Sequence, residues 1–397
     1  MMQQEGGKTL ARKIDVIAAG GFILLLAGTG LVSAFSKEKG FSEEENRYLM
    51  KKPVFSIETL LDGSYGEDYE EALSDQFPGR NRWVTMKVMA ERLQGQTSIN
   101  GVYLGRDDYL IERFEQEDLE TDRSVQNIEF LAAAVKRLKE QFGSDHVRVM
   151  MVPSASQILT EKLPAAAAPY DQMQIIKELN NAVGDKDIFV DVEKVMAEHA
   201  AEPVYYRTDH HWTSLGAYYG YAEWMASIGM VPLDQDKFAI RTVSDSFRGT
   251  VYSKLNIPVR PDTIEVYLPE KQSRYQVYYD LSENFTNELY NWDALDIRDQ
   301  YKVFLDGNHA VTRIENLTLQ TTKSSMVERK LLIIKDSYAH SFAPFAVNHF
   351  DTVYMVDLRY YNGDISQFIS ENGVSDVLVL YQIPGFCTER TIGKLRA

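Results

Sequence analysis

Leu331-Leu332-Ile333-Ile334-Lys335-Asp336-Ser337-Tyr338-Ala339-His340-Ser341 decides the fold. A short uninterrupted apolar run that passes straight into a helix-compatible segment reads as a strand buried on both faces and handing over to a helix. The same punctuation precedes it, with an apolar run at Val147 to Val152, a helix around Gln172 to Val183, a second run at Ile188 to Val190 and a further helix. It also follows it, with Val353 to Val356, a helix near Ile365 to Ile369, and Val377 to Leu380. This alternation predicts an α/β protein built on a parallel sheet flanked by helices. Ligands of such sheets gather at the carboxyl ends of the strands, so Ser337 stands where a nucleophile would, with the N–H groups of the next helical turn nearby.

A serine needs an adjacent base to attack at neutral pH, and the base needs a third group to fix its tautomer. Both are offered by Tyr205-Tyr206-Arg207-Thr208-Asp209-His210-His211-Trp212-Thr213. Asp209 and His211 lie two positions apart, so on an extended segment their side chains project to one side while His210 points away. The stretch Trp212 to Ile228 then reads as a helix, with Thr213 or Ser214 as N-cap and Gly229 as its stop. Each piece also has a plainer reading. An Asp-Ser after a strand is a common helix cap, and neighbouring histidines beside an aspartate can hold a metal, although no further ligand-spaced His, Cys or acidic pair follows. His340 is a second possible base, without an acid at so favourable a spacing. His146, His199, His309 and His349 have no such context and read as surface or core residues.

The 397 residues are 44% apolar, enough for a sizeable core, and the formal net charge of −16 with no compensating basic block argues against nucleic acid as a partner. One cysteine, Cys387, excludes an intramolecular disulfide and any multi-cysteine metal site. Val16 to Phe35 runs without a charge for long enough to cross a bilayer and follows Lys8, Arg12 and Lys13. This predicts a single-pass anchor with the main domain outside the membrane, although Lys37 and Lys39 weaken the charge asymmetry. Val32-Ser33-Ala34 would alternatively serve as the cleavage site of a signal peptide, and a buried core helix is the bland reading. The expected organisation is a stub and anchor over 1–36, a helical lead-in over 37–143 with solvated acidic runs such as Glu43-Glu44-Glu45, and an α/β domain over 144–397. That domain is interrupted by a partly β insertion at about 238–325.

Thr208-Asp209-His210-His211-Trp212-Thr213, with Glu45-Asn46-Arg47, Asp75-Gln76-Phe77-Pro78-Gly79-Arg80 and Lys335-Asp336-Ser337-Tyr338, resembles the bacterial DHHW family. That family is similar to the alginate O-acetyltransferase-like branch of the SGNH hydrolases. The resemblance implies an SGNH-hydrolase-like domain with Ser337 as nucleophile, His211 as general base and Asp209 as orienting acid, in the reverse chain order of ordinary SGNH hydrolases. It implies an extracytoplasmic enzyme that moves acetyl onto hydroxyls of a cell-surface or exported polysaccharide, beside a multi-pass membrane acyl-transferase. From the ligand spacing no metal is expected, and no cofactor is expected either. Lys335 stands where the usual Gly-Asp-Ser block has glycine, and the Gly and Asn oxyanion blocks have no unmistakable counterpart. Gly249 and Asn308 are the nearest substitutes, the Ser337 N–H would be a third donor, and His210, Trp212 and Tyr338 are candidate substrate contacts. A glycine and an asparagine in such settings also serve turns. The other functions open to the same residues are a carbohydrate acetylesterase and a non-catalytic polysaccharide-binding scaffold of an export assembly.

Overall fold

The computed structural model describes residues 2–42, 47–271, 273–322 and 328–396. The acidic run Glu43-Glu44-Glu45, with Asn46 of the opening motif, and the expected insertion limit at residue 325 lie outside the described residues. The chain forms two compact units, 1–91 and 92–397. The first carries helix α1 (Met2–Phe35), whose Asp15–Ser33 segment is long and apolar enough to cross a membrane and has no part buried against protein.

The second unit is organised on one seven-stranded sheet. Its strands are β4 (Val147–Val152), β7 (Tyr275–Tyr279), β8 (Phe285–Thr286), β9 (Val311–Asn316), β10 (Lys330–Lys335), β11 (Thr352–Val356) and β12 (Asp376–Gln382). The order is β8-β7-β9-β11-β10-β12-β4. β11, β10, β12 and β4 are mutually parallel, whereas β9, β7 and β8 join antiparallel. The sheet is therefore mixed, a correction to the expected parallel sheet, because strands from the insertion extend it at one edge.

Strand alternation explains the layering. Leu331, Ile333, Leu378, Leu380 and Met150 face helices α4 (Val192–Glu198), α5 (Ser214–Ser227) and α7 (Ala339–Ala346). Leu332, Ile334, Val377, Val379 and Val149 face helices α2 (Asp122–Phe142), α3 (Met173–Val183) and α8 (Ile365–Asn372). Both faces are covered, which is why these strands read as continuous apolar runs. α2 begins at the Thr121 cap, which accepts from the Ser124 N–H, and turns Ile128, Leu131, Val135 and Leu138 onto the sheet.

Two expectations differ in detail. The expected strand Ile188 to Val190 is a 3₁₀ turn, Lys186–Ile188, from which only Phe189 bridges to Val149. The helical lead-in contains an antiparallel meander of β1 (Ser98–Ile99), β2 (Val102–Leu104) and β3 (Leu110–Glu112), with strands too short to show a period of two. The insertion, besides supplying β7 to β9, forms an antiparallel arm of β5 (Phe238–Phe247) and β6 (Asp262–Pro269), and two register shifts bend it near the Asp209 loop.

Candidate active site

β10 ends at Lys335 and α7 begins at Ala339, so Asp336, Ser337 and Tyr338 make the turn between them. Asp336 holds that turn in place. Its carboxylate accepts the N–H groups of Tyr338 at 2.9 Å and Gln382 at 2.7 Å, the second from the end of β12. Ser337 is left half-buried at the carboxyl edge of the sheet, and among the described residues no acceptor meets its N–H.

The Tyr205–Thr213 loop is bent, not extended as the side-chain alternation argument assumes. Tyr205 pairs with Trp212, and the Tyr206 N–H donates to the His211 carbonyl at 3.2 Å, closing Arg207 to His210 into a tight bend. Asp209 and His211 nonetheless meet, for a different reason. Asp209 Oδ1 accepts the His211 N–H at 3.0 Å, the local turn that aspartate forms with the residue two positions on, and the same oxygen lies 2.5 Å from His211 Nδ1. His211 Nε2 then reaches Ser337 Oγ at 2.7 Å across 126 residues of chain. The structure thus brings Asp209, His211 and Ser337 into one hydrogen-bonded line.

Several groups hold that line. The second Asp209 oxygen accepts the Thr250 N–H at 2.8 Å and the Thr250 hydroxyl at 3.1 Å, from helix α6 (Thr250–Ser253). Thr208, one residue earlier, donates its N–H and hydroxyl to the buried Asp262 at 2.8 and 2.6 Å. The Tyr301 ring lies flat on the His211 ring, 3.8 Å between centroids at 8°, and its hydroxyl reaches the Ser337 carbonyl at 3.3 Å. Burial works against charge on Asp209, but the imidazoles of His210 and His211 and the hydrogen bonds from His211 and Thr250 prevail and hold its carboxyl below the usual carboxylate range. Burial, with His210 alongside, outweighs Asp209 and brings the His211 pKa down to about 4. At neutral pH this leaves a carboxylate against Nδ1 and a lone pair on Nε2 facing the serine.

The remaining candidates separate. Gly249 is not a free donor: its N–H goes to the Thr208 hydroxyl at 3.2 Å. It is glycine because of close approach, since a Cβ there would lie 2.1 Å from Asp209 Oδ2. Asn308 meets Arg359, accepting from its guanidinium at 3.0 Å, and does not line the cavity at Ser337. Trp212 is wholly buried, donates to the Tyr338 carbonyl at 3.0 Å, and packs so tightly on α5 that a Cβ at Gly220 would sit 2.8 Å from its ring. It is a core residue, not a substrate contact. The Tyr338 hydroxyl donates to the His210 carbonyl and accepts from Gln382 at 2.9 Å, tying the serine turn to the histidine loop. His210 is half-buried, its ring 3.9 Å from that of His211, and it lines the cavity. His340 points away from Ser337, its Nε2 2.7 Å from Lys335 Nζ.

Lys335, in the position of the usual glycine, is fully buried and reaches Asp357 at 3.1 Å. Asp357 also grips Arg359 through both oxygens, at 2.9 and 2.6 Å. Arg359 lines the 360 Å³ cavity into which Ser337 opens. Asp357 and Arg359 are not conspicuous in the sequence, although an aspartate directly after the apolar run Val353 to Val356 is a usable signal. The nitrogen and oxygen atoms of Asp209, His210 and His211 lie within 4.8 Å of one another. His210 Nδ1, both ring nitrogens of His211 and both Asp209 oxygens are engaged with one another, Thr250 and Ser337.

The family described as DHHW protein matches residues 129–356. Among solved structures, the chain is similar to a DHHW family protein from Eubacterium siraeum, at 24% identity over 75% of this chain and 95% of that one, with a TM-score of 0.60. It is similar to Bacillus cereus PatB1, solved with a sulfonyl adduct, at 20% identity over 75% of this chain and 100% of that one, with a TM-score of 0.58. The O-acetyltransferase domain of Pseudomonas putida AlgJ matches at 15% identity over 75% of this chain and 98% of that one, with a TM-score of 0.44. Comparison with curated proteins returns no match.

Proposed function

Starting from the chain's membership of the DHHW family, we propose that it is an SGNH-type O-acetyltransferase that acetylates hydroxyls of a cell-surface or exported polysaccharide through an acetyl-serine intermediate. The observation that carries this reading is His211 hydrogen-bonded to Asp209 at 2.5 Å on one side and to Ser337 at 2.7 Å on the other. Ser337 Oγ attacks the donor carbonyl while His211 Nε2 takes its proton, and Asp209 stabilises the resulting imidazolium and holds its tautomer. The developing oxyanion lies near the Ser337 N–H, with the Arg359 guanidinium on the same cavity wall. In the second half-reaction an acceptor hydroxyl gives its proton to His211 and takes the acetyl group. Water in that place would make the protein an esterase. A non-catalytic scaffold would have no need of a base so placed on a serine.

The apolar segment Asp15–Ser33, preceded by Lys8, Arg12 and Lys13, supports a single-pass anchor with the second unit outside the membrane. An acetyl donor on that side calls for a multi-pass membrane acyl-transferase as partner. The sulfonyl adduct named for Bacillus cereus PatB1 supports a sulfonyl fluoride as a second probe for an activated hydroxyl in this fold. The direct test is intact-mass measurement after incubation with p-nitrophenyl acetate. One acetyl adduct is expected on the wild type and none on Ser337→Ala, and equal labelling of the two would remove Ser337 from the mechanism.

A further inference from the structure

The cavity at Ser337 continues into a second one of 590 Å³, and the two share His210, Gln382, Gly385 and Thr388 along their boundary. They are two lobes of one cleft. Ser337 lines only the first lobe, with Arg359 and Arg390. The second runs from His210 past Thr250 to Phe114 and Lys254, over the outer edge of the β1–β3 meander.

The lobes differ chemically. Lys254 in the second lobe is paired with Glu112 at 2.7 Å, and Arg113 is engaged by Glu115, so its charges are largely matched within the protein. What remains is a half-buried aromatic ring, Phe114, among hydroxyl and amide groups and the Asp118 carboxylate, which accepts the Glu115 N–H at 2.9 Å. A ring beside hydrogen-bond acceptors suits the apolar face and hydroxyl rim of a sugar better than an anionic ligand. His210 adds a directed acceptor at the lobe boundary. The Thr250 hydroxyl gives its one proton to Asp209 Oδ2, so toward His210 it can only accept, and the 2.8 Å contact places the ring proton on His210 Nδ1. His210 Nε2 then carries a lone pair that can accept from a hydroxyl.

Geometry assigns the lobes different reactants. An acyl donor must reach Ser337 through the lobe that contains it. The acceptor hydroxyl must present its proton to His211, whose ring lies 3.9 Å from that of His210, at the boundary with the second lobe. We infer that the second lobe is the acceptor-sugar subsite, with Phe114 as the ring on which the sugar packs and His210 Nε2 accepting from one of its hydroxyls. The inference rests on the acetyl-serine reading. In the transfer step the sugar oxygen forms the new ester bond to the acetyl carbon, the Ser337 Oγ–acetyl bond breaks, and the proton from the sugar passes through His211 Nε2 to Ser337 Oγ.

The test is a chase of the acetyl-enzyme, formed on the full-length protein with p-nitrophenyl acetate, using oligosaccharides released from the producing cells' own envelope. Mass spectrometry counts acetylated oligosaccharide against free acetate as acceptor concentration rises. Phe114→Leu, which keeps apolar bulk, and His210→Phe, which keeps a ring without the lone pair, should each raise the half-saturating acceptor concentration roughly five- to tenfold. Thermal melts check that both variants are folded. Folded variants that saturate at the wild-type concentration would place the acceptor elsewhere, and an acetyl-enzyme that only hydrolyses with every oligosaccharide would overturn the sugar assignment. Absence of any acetyl-enzyme on the wild type would instead remove the serine reading on which the subsite depends.

Discussion

Gly249→Ala tests whether Asp209, the acid of the proposed triad, works by position. Gly249 has an ordinary φ of −86°, so alanine meets no backbone penalty there, and the cost comes from contact alone. The added Cβ would lie 2.1 Å from Asp209 Oδ2 and 2.2 Å from Asp209 Cβ. Because the Asp209 Cβ is struck as well as the carboxylate, no side-chain rotation relieves the clash, and one chain segment must withdraw by about 1 Å or more to restore ordinary contact. A withdrawal of that size by Asp209 stretches its 2.5 Å bond to His211 beyond hydrogen-bonding range. A withdrawal by Gly249 instead pulls away the Thr250 N–H now 2.8 Å from the carboxylate. Overpacking should cost ~1–3 kcal/mol in stability. Loss of the acid's alignment should slow acetyl-serine formation by about 10²- to 10⁴-fold. Growth of the acetyl adduct with time, followed by intact mass at fixed p-nitrophenyl acetate, reads the rate, and a thermal melt reads the stability. A folded variant that acylates at the wild-type rate would refute the argument that Asp209 must be held against His211 in this geometry.

Three further outcomes are expected. With its pKa near 4, His211 is an unprotonated base through the neutral range, so acylation should be flat at neutral pH and fall to half near pH 4, and a midpoint near 7 would sink the claim that burial dominates. Its effect on stability has a fixed sign: the unfolded imidazole, with a pKa of about 6.5, binds a proton that the folded one refuses, so this contribution is complete above about pH 6.5 and is lost as pH falls toward 4. It amounts to about 3 kcal/mol, readable in urea melts across that window. Asp357→Ala leaves Lys335 and Arg359 without their carboxylate and should cost ~3–5 kcal/mol, whereas Lys335→Met leaves Asp357 still paired with Arg359 and should change stability by less than about 1 kcal/mol. Equal losses in the two variants would contradict this division.

The parts of the fold legible in the sequence are those where burial is symmetric. Val147–Val152, Leu331–Ile334, Val353–Val356 and Val377–Leu380 are covered on both faces, so composition alone marks them. β9 shows why the antiparallel edge escaped notice: its burial alternates toward one end, and Arg313 stacks on Tyr278 at 3.9 Å, a pairing invisible until β7 is placed beside it. The spacing rule that picks out Asp209 and His211 assumes an extended segment, a premise that is wrong for this loop. The rule succeeded because an aspartate turn also brings together residues two apart. Gly249 reads in the sequence as an N–H donor and not as a site of close packing, since a tight approach between residues 40 positions apart leaves no local trace.

In the proposed triad Asp209 and His211 precede Ser337, and the insertion gains a function from that order. When acid and base precede the serine, they must sit on a loop outside the strand-to-helix turn that presents it, and a nine-residue loop cannot by itself hold an aspartate, an imidazole and their tautomer against solvent. The groups that hold it come from beyond residue 238: Gly249 and Thr250 close on Asp209, Asp262 clamps the Arg207 and Thr208 N–H groups at 2.8 Å each, and Tyr301 covers the His211 ring. All four are in the segment between α5 and β10, the stretch that joins the histidine loop to the serine strand. The same segment that interrupts the βα alternation therefore builds the wall against which the base is oriented. Trimming it to a short connector would leave the parallel strands their covering helices α2, α3 and α8 but would deprive His211 of its acid's partners.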